Sequence, residues 1–136
     1  MTSDINNQDE IVIEDYYNLL HLHRALLEAK FHIPSDDIEV QYSPYIAELS
    51  NRIVDILSFK DKQNKKSNTW SEWRQLEGKS LFREKVVLIC ARHKKWKNMD
   101  IEHKIELAKI VISPFICSMP DIMEIVSESD SLLSNN

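Results

Sequence analysis

Glycine is almost missing from this chain: 136 residues contain one, Gly78. Loops that cradle phosphates and turns that bind dinucleotides need several glycines where backbone approaches ligand, so the usual NTPase and Rossmann signatures are absent. Tight hairpins and sandwich turns draw on the same residue, which moves the expected fold class toward helices. Cysteine is scarce as well. Cys90 and Cys117 stand far apart in apolar contexts, which suits a reducing compartment better than a disulfide framework. No apolar run approaches the ~20 residues of a membrane span, the longest being residues 86–91. The first ten residues are polar and acidic and lack the basic and apolar regions of a secretory leader, so a cytoplasmic chain with no membrane association is expected.

What is present is 43% apolar residues and 29% charged ones, a balance that supports one soluble domain with a core needing no metal or disulfide. Apolar residues recur at helical spacing through Val12, Ile13, Tyr16, Leu19, Leu20, His23, Leu26 and Leu27, predicting a helix over 9–32 that stops before Pro34. Ser43 and Pro44 open a second helix, 44–60, with Tyr45, Leu49, Ile53, Ile56 and Leu57 as its buried stripe. Residues 60–68 read as a solvated loop. Thr69 and Glu72 match a capping box that starts a helix over 69–97, with a break at Gly78 and a restart capped by Ser80. Asp100 caps a helix over 100–113, and Pro120 opens a last one over 120–127. Residues 1–8 are expected to be disordered and 128–136 a frayed polar tail. The expected fold class is all-α, a bundle of four or five helices with sequential neighbours roughly antiparallel.

The net charge of −5 conceals an uneven layout. Residues 1–40 carry nine acids and two bases, 60–109 carry fourteen bases and seven acids, and 110–136 carry four acids and no base. An acidic surface built from Asp9, Glu10, Glu14, Asp15, Asp36 and Asp37 would steer a basic partner toward the chain. Immunity proteins and nuclease inhibitors work through surfaces of this kind; the analogy is one of charge alone. The basic middle holds all three tryptophans, and Arg92, Lys94, Lys95 and Lys97 around Trp96 form a candidate nucleic-acid surface, phosphates on the bases and stacking on the ring. The overall acidity weighs against it.

Catalytic and metal chemistry find little purchase. His21 and His23 are two apart, so on a helix they point away from each other, His23 into the apolar stripe. Glu28 and His32, four apart, lie on the wet side with His21 and read as solvated helix face. Cys90 and His93, three apart on one face, offer two zinc ligands, with His103 or Cys117 as outside candidates for a third; His93 reads better as a hydrogen-bonded core residue. Cys90 sits among apolar residues, which argues burial rather than nucleophilicity. No catalytic residue, metal site or cofactor is assigned. The sequence therefore points to a non-enzymatic interaction or regulatory protein that binds a protein partner through its acidic face, with nucleic-acid binding through 60–97 as the alternative.

Overall fold

Seven α-helices form among the described residues, and their ends show which side chains position them. In the computed structural model, which describes residues 9–33, 38–66 and 69–134, they are α1 (Tyr16–Phe31), α2 (Ile38–Tyr42), α3 (Pro44–Gln63), α4 (Trp70–Trp73), α5 (Ser80–Arg92), α6 (Ile101–Ile112) and α7 (Met119–Ser134), with a 3-10 turn at Trp96–Asn98. The all-α class read from the sequence is what the structure shows, and among the described residues no strand forms. An isolated bridge joins Gln75 to Ile116. The expected disorder of 1–8 falls outside the described residues, as does Pro34.

Two of the expected caps form. The Ser43 side chain accepts from the Ile46 amide at 3.2 Å with Pro44 at the first helical position, and Asp100 accepts from the His103 amide at 2.9 Å. The Thr69 capping box does not: α4 has no side-chain cap bond and lasts four residues. Ser80 is already inside α5, whose cap position is Lys79, because Gly78 takes φ +81° and turns the chain just ahead of it. Space around Gly78 is open, so an added methyl clashes with nothing, but that φ disfavours any L side chain. Gly78→Ala should lower unfolding free energy by about 1 kcal/mol, read from urea midpoints.

Helix limits differ from the periodicity reading at both ends of the chain. The first helix begins at Tyr16, not Asp9, because Asp15 acts as its N-cap, accepting from the Tyr17 amide at 3.4 Å. The last helix continues to Ser134, so 128–134 is not a frayed tail. Ser129 is fully buried and donates to the carbonyls of Ile125 (2.8 Å) and Val87 (3.2 Å), which ties α7 to α5. Helix α3 also runs past Lys60 to Gln63, because Asp61 turns inward.

Packing divides into two clusters. The larger joins α5, α6 and α7 through Val86, Ile89, Cys90, Ala108, Val111, Ile125 and Val126, with Phe31, Trp96 and Phe115 closing its ends. Phe31, Phe82 and Phe115 meet at centroid distances of 4.9–5.7 Å, and Trp73 lies 4.8 Å from Phe115. The smaller cluster sets Leu19 of α1 against Ile53 and Leu57 of α3, with Ile13, Tyr16 and Trp70 at its margin. Ile53 and Leu57 are buried as expected, but Tyr45, Leu49 and Ile56 face outward, Tyr45 being 81% exposed. The inward stripe of α3 is instead Ala47, Ser50, Ile53, Val54, Leu57 and Asp61, since small residues let this helix approach its neighbours closely.

Candidate functional site

The acidic set of the first helix is found mostly ahead of that helix. Asp9, Glu10, Glu14 and Asp15 are all exposed, on a stretch with no regular secondary structure that enters α1 at Asp15 in extended geometry (φ −69°, ψ 129°). Among the described residues none of these four carboxylates forms an ion pair. Between them stand Ile11, 90% exposed, and Val12, 70% exposed, while Ile13 reaches back to the smaller core. Asp36 and Asp37 lie outside the described residues.

Positive charge of the middle segment is answered elsewhere. Arg83 bonds Glu128 at 2.5 Å and approaches Glu124, Lys104 bonds Asp130 at 2.8 Å, and Arg74 bonds Asp55 at 2.5 Å and Asn51 at 2.9 Å. The C-terminal acids thus neutralise part of the basic middle, and among the described residues Asp9, Glu10, Glu14 and Asp15 form no ion pair with it. Arg92, Lys94, Lys95 and Lys97 are exposed at the end of α5 and in the 3-10 turn, also without ion pairs among the described residues. Trp96 does not share that surface. It is wholly buried, its indole N–H donates to Asp130 at 2.9 Å, and the Lys104 ammonium lies 5.4 Å from its ring, so it has no face to offer a base. Trp70 and Trp73 turn toward His23, edge to face at 5.4 and 4.8 Å.

The candidate chemical groups separate. Burial pushes the Cys90 thiol up to about 12, which leaves it protonated and unreactive. His93 ends α5 rather than sitting at the centre of the core. Its Nδ1 accepts from the Lys95 amide at 3.1 Å, its ring stands 4.6 Å from Tyr42, and burial with the nearby Lys95 charge lowers its pKa. His21 is exposed and His23 buried, as helical geometry requires; desolvation lowers the His23 pKa and keeps it neutral. Glu28 and His32 are both exposed beside a shallow groove of about 320 Å³ with Arg24 and Lys85. The Asp100 to His103 contact, 2.6 Å, belongs to the α6 cap. Among the described residues no three His, Cys, Asp or Glu side chains come together to hold a metal ion.

The polar groups that matter most to the fold were not singled out in the sequence. Lys30 is 1% exposed, and its ammonium donates to the carbonyls of Ile110 (3.0 Å) and Ser113 at the end of α6, where a helix favours a cation. Gln41 does the same service for α1, donating to the carbonyls of Lys30 and His32 at 3.0 and 2.9 Å. Asp61 accepts from the Trp70 indole at 2.8 Å and the Tyr16 hydroxyl at 3.2 Å, joining α1, α3 and α4. A signal for two of these exists: Lys30 follows His23 and Leu26 at core spacing, and Asp61 follows Val54 and Leu57. No helix among the described residues is long and apolar enough to cross a membrane. The chain matches no protein-family model, no curated protein and no solved structure.

Proposed function

We propose that this chain is a non-enzymatic interaction protein of the immunity or inhibitor type, engaging a basic protein partner through the acidic segment 9–15. The observation that carries the reading is the pair of large apolar side chains, Ile11 and Val12, held out in water between four carboxylates that form no ion pair among the described residues. Apolar groups in such a ring gain by being covered, and unpaired acids around them raise the encounter rate with a cationic surface. Buried thiol, neutral buried histidine and dispersed carboxylates supply no competing chemistry at this site.

Nucleic-acid binding stands second. The exposed Arg92, Lys94, Lys95 and Lys97 favour phosphate contacts, but the buried Trp96 removes the stacking half of that idea. Charge reversal of Asp9, Glu10 and Glu14 to lysine, sparing the α1 cap at Asp15, should slow association with a partner captured from the host by about tenfold at low salt, with the thermal transition little changed. An unchanged on-rate, together with salt-steep oligonucleotide binding lost on reversing Lys94, Lys95 and Lys97, would invert the order of the two readings.

A further inference from the structure

The sequence Ile11-Val12-Ile13 consists of three β-branched residues, the type that fits a strand best, yet no strand is present among the described residues. The amides of all three make no hydrogen bond within the described structure. A row of β-branched residues with unspent backbone donors is what an extended peptide brings to the open edge of a sheet. Two features hold it ready. Ile13 is seated against the smaller core, and Asp15 caps α1 directly behind it, so the segment is displayed from a firm base and less ordering entropy is lost on binding.

We infer that residues 9–13 bind by strand addition, pairing their backbone with an exposed edge strand of a β-sheet in another protein whose edge is flanked by lysine or arginine. This rests on the acidic-segment reading and gives it a geometry. Once paired as a strand, alternation sends Glu10 and Val12 to one face and Ile11 to the other with Ile13, which its own core already holds. Ile11 therefore enters the partner's apolar face, and Glu10 and Glu14 stand beside Val12. Opposite charges directly across such a ladder add roughly 0.2–1 kcal/mol per pair, and like charges oppose it. Charge complementarity selects a basic edge over an acidic one.

The full chain, labelled with ¹⁵N, is titrated with two synthetic probes of equal charge: a β-hairpin whose outer strand alternates lysine and valine, and a lysine-rich helical peptide. Strand addition requires that the hairpin bind and slow hydrogen exchange by about tenfold or more at alternate amides, either Val12 or the pair Ile11 and Ile13, with the helical peptide markedly weaker. Proline at a protected position, Val12→Pro or Ile11→Pro according to which amides slow, removes one ladder donor and keeps every charge, and should weaken hairpin binding about tenfold. Ile11→Ser tests the same contact without touching the backbone, and the circular dichroism of both variants checks that the helices persist. Equal binding of the two probes with unprotected amides overturns strand addition and leaves the acidic surface standing. Binding of neither probe overturns both.

Discussion

Replacing Lys30 by methionine should make the protein's stability less dependent on pH, with the gap from the parent chain widening as pH rises. Burial brings the Lys30 ammonium down from 10.5 to about 7. Below pH 7 both folded and unfolded chains hold the proton, so the full cost of a buried cation is present. Between 7 and 10.5 the unfolded chain binds a proton that the folded chain has released, and stability rises with pH. At 1.36 kcal/mol per unit, the parent should gain about 3 kcal/mol relative to Lys30→Met between pH 7 and pH 9. Urea midpoints of both chains across that range measure it, and parallel curves would mean that the amine is solvated. The variant also strips the Ile110 and Ser113 carbonyls of their donor, which costs roughly 1–3 kcal/mol for each group left unpaired.

Ending the chain after Ser127 should cost more than about 4 kcal/mol and lower the melting temperature by more than about 10 °C. The deletion removes four contacts at once, the first being the ion pair of Glu128 with Arg83. Ser129 no longer bonds the Val87 carbonyl, Leu133 leaves the edge of the main core, and Asp130 is withdrawn from the Trp96 indole and the Lys104 ammonium. The last loss is the heaviest, because the Trp96 N–H is then buried with no acceptor. Asp130→Asn separates the effects: its amide oxygen still accepts from the indole while the charge facing Lys104 is gone, so it should cost well under half of the deletion. A truncated chain that melts with the parent would show the final two turns of α7 to be dispensable.

How much of this was legible in advance depends on what kind of signal each residue gives. Pro44, Ser43, Asp100 and Gly78 act on their own backbone neighbours, and each is found in the role read for it. Thr69 and Ser80 belong to the same vocabulary and fail, because Gly78 sets the chain direction and α4 is too short to keep a cap. The buried stripe of α3 departs from the expected one for a different reason. Tyr45, Leu49 and Ile56 recur at helical spacing as well as Ile53 and Leu57 do, and periodicity alone does not say which of two apolar faces meets a neighbour. The acidic residues at 9, 10, 14 and 15 were legible as charge, but their setting was not, since Asp15 was counted inside the helix it in fact begins.

Local chemistry along the chain therefore determined the helical class, the loss of glycine-dependent folds, the two working caps and the turn at Gly78, because each depends on dihedral preferences or on contacts within one turn. Tertiary structure alone decided that Trp96 is buried on Asp130, that Lys30 meets the carbonyls at the end of α6 and Asp61 the Trp70 indole, and that Glu124, Glu128 and Asp130 meet the basic middle. Those outcomes bring together residues tens of positions apart, and the desolvation of a charge is set by what surrounds it in space. The scarcity of glycine bounded the architecture; the placement of charge outside ion pairs, on which the proposed function rests, was a matter of packing.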